Sequence, residues 1–353
     1  MKILILTKVP AEYEKYRRKS QDIPTFQAQY FWKKTLKEMG HSVKIIRYSD
    51  PVFFSIKFSK KVEQLLSNTS PGLWQKFRLF KNKFYYLFPQ NHVRTEKIAR
   101  QVKEDEFDLI IISGGCSELI PNIFKDFDNK VLLLHGEDPN TSATQFEKDS
   151  LPYIYGAITN DKFHAENWEK LGAKKALAIP YTGIDSNTHK DFGEKRDIDL
   201  IFVGSLFEER QKQLLKLIEF SPHIYGYVPK STNLHPKLKK HYKGEAWGDK
   251  VVSIYNQAKI AINFVPSHMR SGGNTRTFRI PACGALQLTN KCPKEWFENG
   301  KEVVVFKNTN DLRNKIKKLL SSPKKVEKIS KSGYKKAHSS HNYKKRFSKI
   351  LSI

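Results

Sequence analysis

The stretch YNQAKIAINFVPSHMRSGGNTRTFRIPACGALQLTNKCPKEWFENGKEVVVF (255–306) decides the fold. An apolar strand is predicted over 260–265, and it runs into a loop carrying Arg270, Gly272, Gly273, Asn274 and Arg276. A helix is predicted from Thr275 to Cys283-Gly284, and a second strand starts at once at Ala285. In parallel α/β sheets ligands sit beyond the carboxyl ends of strands, close to helix N-termini. Glycines there let backbone N–H groups approach a diphosphate, and arginines supply planar donors. The pattern points to a phosphorylated ligand of the nucleotide-sugar class.

Working outward, the rest of the chain repeats the same alternation. Strands are predicted at 2–7, 43–48, 107–113, 130–135, 153–159 and 175–181, with helices at 26–39, 117–125 and 161–171 between them. Gly40 falls where a left-handed helix cap is expected. A basic, helical stretch over about 55–104 reads as an insertion. Residues 182–196 are polar and turn-rich with no core pattern, and read as an interdomain hinge. The second half restarts with a strand at 199–204, a helix at 207–219, a strand at 223–227 and a helix at 248–258. It closes with a strand at 302–306 and two or three helices to the C-terminus. Unbroken apolar strands flanked by helices indicate doubly wound parallel sheets. The expectation is two Rossmann-like domains facing a cleft, 1–185 and 195–335, with a helix at 336–353 returning to the first. At 353 residues the chain is long enough for two cores.

No run of about 18 apolar residues occurs, so no membrane-spanning helix is predicted. The apolar start, MKILILT, is too short for a signal peptide and reads as a buried strand. Three cysteines, Cys116, Cys283 and Cys292, give neither a disulfide framework nor metal-ligand spacing. A cytoplasmic location, with peripheral attachment to an inner membrane face as an extension, follows as the expectation, and the sequons at Asn68 and Asn140 then carry no meaning. The net charge of +27 implies an anionic partner: a phosphorylated donor, an acidic membrane surface or nucleic acid. The segment WQKFRLFKNKFYYLF (74–88) alternates bases with aromatics and contains no acid. It reads either as an interfacial or acceptor-facing helix or as an amphipathic packing helix. The basic tail over 315–349 reads as a solvated helix face.

The second half resembles the GT-B glycosyltransferases of the CgeB-like, spore-maturation type. The matching residues are Phe202-Val203-Gly204-Ser205 with Arg210, Tyr255-Asn256, Ile262-Asn263, Asn274-Thr275-Arg276-Thr277-Phe278, Ala282-Cys283-Gly284, Gly300-Lys301-Glu302-Val303, and His341-Asn342-Tyr343 with Arg346. The layout is also similar to that of bacteriophage DNA β-glucosyltransferases. The resemblance implies a donor site made by Gly204, Ser205, Arg210, Tyr225, Gly226, Arg270, Gly273, Asn274, Thr275, Arg276 and Arg279. Within it Gly204 lets the chain pass the diphosphate, Arg210 and Arg276 reach phosphate, Arg270 is the weaker clamp, and Tyr225-Gly226-Tyr227 lies at the nucleobase. Arg279 stands where the family has a Glu that accepts from ribose hydroxyls; a guanidinium has no acceptor, so donor identity and activity are both opened by it. Pro281 predicts that its helix starts near 280. Asn256 and Asn263 read as local hydrogen-bonding residues, and Gly284 as a helix terminator.

For catalysis the candidates lie in VLLLHGEDPN (131–140), where a strand ends in His135, Glu137 and Asp138. Glu137 or Asp138 would take the acceptor proton and His135 would orient the sugar; otherwise Asp138-Pro139 is a turn and His135 a satisfied core residue. Gly114 and Gly115 are acceptor-side candidates or a plain tight turn, and Gln27 and Gln29 are weaker ones. The Asp-x-Asp pairs at 126–128 and 197–199 precede strands and read as turns. No cofactor or metal is expected, only a nucleotide-sugar co-substrate, UDP-linked by analogy. Three functions follow from this reading. One is sugar transfer to a bacterial surface glycan or its lipid-linked precursor. The second is glucosylation of hydroxymethylated DNA bases, and the third is sugar-nucleotide binding without turnover.

Overall fold

The computed structural model describes residues 1–8, 27–48, 70–125, 127, 130–229 and 232–353. The chain forms two compact units, Met1–Tyr181 and Thr182–Ile353. Each contains one wholly parallel sheet.

The first sheet is built from β1 (Lys2–Thr7), β2 (Ser42–Arg47), β3 (Leu109–Ser113), β4 (Lys130–Leu134), β5 (Gly156–Thr159) and β6 (Ala176–Ala178), in the order β2-β1-β3-β4-β5-β6. Ile3 to Leu6, Ile110 to Ile112 and Val131 to Leu134 are buried, as strands covered on both faces must be. Helix α1 (Ala28–Glu38) buries Phe31, Trp32 and Leu36 and ends at Gly40, whose φ of +86° supplies the left-handed cap. The described part of the basic stretch forms α2 (Pro71–Lys83), a short 3₁₀ turn (Tyr85–Leu87) and α3 (Pro89–Asp105). The part over 55–69, like the Asp-x-Asp pair at 126–128, lies outside the described residues.

The helix expected over 117–125 is absent; only a 3₁₀ turn at Pro121–Phe124 forms. Pro121 has no N–H to continue a helix, and the Ile120 N–H donates instead to Thr95 Oγ1 at 2.8 Å. After β4 come two short helices not anticipated, α4 (Pro139–Ser142) and α5 (Gln145–Ser150), and then α6 (Lys162–Lys170) before β6.

The second sheet contains β7 (Ile198–Val203), β8 (His223–Tyr225), β9 (Ala258–Asn263), β10 (Leu286–Thr289) and β11 (Val304–Val305), in the order β11-β10-β9-β7-β8. Helices α7 (Glu208–Leu215), α8 (Asp249–Gln257) and α9 (Arg276–Ala282) connect them, and α10 (Thr309–Leu320), α11 (Pro323–Ser340) and α12 (Tyr343–Leu351) close the unit. The strand order reverses between β7 and β9. That switch point is where doubly wound sheets leave a crevice beyond the strand ends.

The stretch 182–196 differs from its expected lack of pattern. Ile184, Asp185 and His189 are all buried, and Ile184 exchanges backbone bonds with His341 and Tyr343 at the start of α12. Its polar residues are buried because they bond locally: Asp185 accepts from the Thr188 N–H at 2.9 Å. Arg196 ties the segment down, donating to the carbonyls of Tyr255, Ala258 and Cys283 and pairing with Asp191 at 2.8 Å.

Candidate functional site

At the carboxyl end of β7 the chain turns through Gly204. A Cβ there would collide with the guanidinium of Arg276. The glycine therefore makes room for an arginine side chain, a different reason from the direct approach to diphosphate that the sequence suggests. Arg276 stands in the first turn of α9 and donates from Nη1 to the Val203 carbonyl at 2.8 Å, spanning the switch point. Its guanidinium lies 5.8 Å from the centre of the Phe202 ring. Arg210, near the start of α7, lies 5.9 Å from the same ring and donates to the Ser205 carbonyl at 2.9 Å. Two half-buried cations thus share one aromatic platform. Neither forms an ion pair with a carboxylate among the described residues. Burial and then the charge of Arg276 hold Arg210 down to about 10, and burial lowers Arg276 as well. A guanidinium is not deprotonated in proteins at neutral pH, so both carry charge.

β8 ends beside them. Gly226 has φ +141° and its Cα packs on the Gly204 backbone, so a side chain at 226 would force the backbone apart. The Gly204 N–H donates to the Tyr225 carbonyl at 3.0 Å, and Tyr242 caps the Gly226 carbonyl at 2.9 Å. The Tyr225 side chain is half-buried, and its hydroxyl pKa is raised by burial.

The loop before α9 is set by a buried polar network. Asn263, wholly buried at the end of β9, donates to Thr277 Oγ1 at 3.3 Å and Gln287 Oε1 at 3.2 Å. Asn274 donates to Asn263 Oδ1 at 3.0 Å and accepts from the Thr277 N–H at 3.3 Å. Gly273 is required because a Cβ would stand 2.7 Å from Thr277 Oγ1 and 3.0 Å from Trp296. Thr275 is the residue before the helix, and its carbonyl takes the Arg279 N–H at 3.2 Å. Arg270 is exposed on the loop.

Pro281 does not start this helix; it lies inside it. Lacking an N–H, it leaves the Thr277 carbonyl without its helical partner, and Gln287 Nε2 supplies the bond from β10 at 3.4 Å. The N-terminus falls at Arg276, four residues earlier than the start near 280 that the proline suggests. Arg279 is half-buried; its charge helps depress the buried His189, which burial chiefly holds at about 3. Asn256 bonds locally only to the Val252 carbonyl; it also accepts from the Phe192 N–H and donates to the Lys190 carbonyl, holding the 182–196 stretch, and Gly284 ends α9 at φ +76°. Asp199 pairs with Lys259 at 2.6 Å near the amino end of β7, opposite the strand end that carries Gly204.

In the first unit the residues after β4 also come together. His135 is buried, with Nδ1 3.2 Å from Glu147 and Nε2 2.9 Å from Ser142 Oγ, so both ring nitrogens are engaged. Glu147 is 1 % exposed and also accepts the N–H groups of Gly115 at 2.6 Å and Thr144 at 2.8 Å. Burial opposes charge on both members, yet their pairing wins: the His135 pKa is raised and that of Glu147 lowered. Gly114 leaves space for the imidazole, since a Cβ would lie 2.8 Å from Nδ1. Gly115, at φ +88°, aims its N–H at Glu147. Asp138 caps α4, accepting from Asn140 N–H and from Asn167 Nδ2 at 3.1 Å. Glu137 is exposed, and its charge contributes to raising His135. Gln29 donates to Ser113 Oγ at 2.7 Å, whereas Gln27 precedes α1.

Two residues of these clusters, Gln287 and Glu147, are missing from the sequence reading, and a third, Phe202, enters it only as a matching residue with no role. Phe202 looks like one more apolar strand residue. Gln287 had a signal, a lone amide inside an apolar strand. Glu147 had one too, because Thr144-x-x-Glu147 is the capping-box pattern and the box is formed.

Comparison with solved structures now decides the architecture. A glycosyltransferase from Rickettsia africae superposes with a TM-score of 0.65 at 15 % identity, over 100 % of this chain and 97 % of that one. This is the GT-B fold. HepE of Anabaena, in complex with UDP-glucose, superposes on it with a TM-score of 0.59 at 13 % identity, over the full length of both chains. An α-glucosyltransferase in complex with UDP-glucose and DNA gives 0.64 at 9 % identity, over 100 % of this chain and 98 % of that one. A family described as glycosyl transferase-like matches residues 206–352, less than half of this GT-B chain. No curated protein matches it.

Proposed function

We propose that the protein is a glycosyltransferase that moves a sugar from a nucleotide diphosphate donor to a hydroxyl acceptor. The observation that carries this reading is the pair Arg210 and Arg276, two guanidinium groups on one phenyl ring at the switch point of the second sheet. Two neighbouring cations repel, and a diphosphate is the ligand that turns this cost into attraction. In the transfer reaction the same charge stabilises the nucleoside diphosphate as it leaves. Arg210 and Arg276 thereby supply the neutralisation that a metal ion gives in other transferases, and the reading expects turnover without one. Ser205, Gly273, Asn274 and Thr275 flank the phosphates, Tyr225 and Gly226 flank the base, and Arg279 donates toward ribose or phosphate. Arg270 is a peripheral contact. In the first unit Glu137 is the candidate base; Asp138 and His135 position the turn that carries it, with Gly114 giving the imidazole its space and the Gly115 N–H holding Glu147.

The likeness to proteins solved with UDP-glucose favours a UDP-sugar, and the residue pattern quoted above favours the CgeB-like group. The acceptor in this reading is a bacterial surface glycan or its lipid-linked precursor. DNA is the second reading, favoured by the net charge of +27. The test is calorimetric titration with UDP, GDP and ADP, followed by donor hydrolysis and transfer assays. UDP should bind, and Arg276→Ala should weaken it by about 1.5–3 kcal/mol, roughly ten- to 150-fold. Wild-type protein that binds none of the three, or an Arg276→Ala variant of unchanged affinity, would remove the reading.

A further inference from the structure

The first unit carries a second feature that sugar transfer does not use. Along α2 and the 3₁₀ turn after it, Leu73, Leu79, Phe80, Tyr86 and Leu87 are 57, 58, 49, 47 and 60 % exposed. Half of the exposed large apolar side chains among the described residues thus fall within fifteen consecutive positions. The segment is held in this orientation from beneath. Tyr85 is buried, donates to Asp149 at 2.8 Å and packs edge-on against Phe146. Asn82 accepts the Gln145 N–H at 3.1 Å. With Asn82 and Tyr85 fastened to α5, their neighbours point outward. Phe80 packs against Phe84 at 4.9 Å and edge-on against Phe88 at 6.5 Å, and Phe84 against Tyr86 at 6.3 Å, so the aromatic tips form one cluster.

Cations alternate with these tips along the sequence. Lys76 and Lys83 are exposed and Lys81 is half-buried, and the sequence holds no acid between Glu63 and Glu96. This combination selects among partners. Protein interfaces are depleted in lysine at their centres. Single-stranded nucleic acid is held by cations and stacking aromatics, which gives three protruding leucines nothing to do. An anionic bilayer takes both sets: leucine and aromatic tips enter the acyl boundary while ammonium groups sit among the headgroups. No described helix is long and apolar enough to cross a membrane. We propose that α2 and the turn after it are a docking face for an anionic lipid surface, on which the first unit rests without spanning it.

The experiment is co-sedimentation of the full chain with phosphatidylcholine vesicles, with and without phosphatidylglycerol, beside a gel shift on duplex DNA. The wild type should sediment with the anionic vesicles only. Lys76→Gln with Lys83→Gln should weaken that binding about 25-fold, from about fivefold for each basic residue at a charged surface. Leu79→Gln with Leu87→Gln should weaken it equally at high salt, where the charge contribution is screened. UDP titration of each variant reports whether it is folded and whether the donor site is intact, so loss of lipid binding with UDP binding retained isolates this face. A wild type that ignores anionic vesicles overturns the proposal. So does a lysine variant that loses DNA binding while its lipid binding is unchanged.

Discussion

Replacing Glu147 by Gln tests the buried pair behind the turn after β4. The carboxylate accepts from Gly115, Thr144 and His135 at 2.6, 2.8 and 3.2 Å. A glutamine has the same shape but one oxygen. If that oxygen keeps Gly115 and His135, the new NH₂ faces the Thr144 N–H, donor against donor. His135 also loses its counter-charge inside the core, and removing one partner of a buried pair costs about 3–5 kcal/mol. That range already includes the bond lost to Thr144. Urea unfolding of wild type and variant should show this difference. Its pH dependence is fixed by the two shifts. Glu147, lowered from 4.5, contributes above 4.5 and loses its share as pH falls through its folded value. His135, raised from 6.5, contributes below 6.5 and loses its share as pH rises through its folded value. The gap between wild type and variant should therefore be widest between pH 4.5 and 6.5 and narrow on both sides. A variant within about 1 kcal/mol of wild type in that window, or a gap that stays constant across pH, would refute the claim that the pair is charged.

Other outcomes follow from the same geometry. Gly226→Ala should cost about 1–3 kcal/mol or more, since its Cβ meets the Gly204 backbone; thermal unfolding checks this. Gln287→Ala leaves the Thr277 carbonyl unserved and takes one of the two acceptors of the Asn263 amide, and should cost about 1–3 kcal/mol, read by the same assay. Transfer activity should survive exhaustive chelation; activity lost to chelator and restored by magnesium or manganese would count against charge neutralisation by Arg210 and Arg276.

Parallel sheets were legible because strands buried on both faces read as unbroken apolar runs, and β1, β3, β4, β7 and β9 all do so. The loop before α9 stood out because glycine, asparagine and arginine meet there at a strand end. Less visible was anything that depends on a partner distant in sequence. Gly204 reads as a ligand contact until Arg276, seventy-two positions on, is seen beside it. Pro281 reads as a helix start because nothing nearby reveals that Gln287 will serve the orphaned carbonyl. His135 and Glu147 sit twelve residues apart across two short helices whose turns leave little periodic signal.

The packing of Gly204 on Gly226 bears on how this protein can change. Two sides of the donor pocket proposed here are bare peptide; a methyl group at 226 meets backbone, and one at 204 displaces the Arg276 guanidinium. Altering which base or sugar is chosen by substitution at those positions therefore costs either stability, at 226, or the placement of Arg276, at 204. Diversity has to come from the exposed positions on either side, so a library that randomises 235–237, 239–240, 267–268 and 270–271 should keep wild-type stability where one aimed at Gly226 loses it.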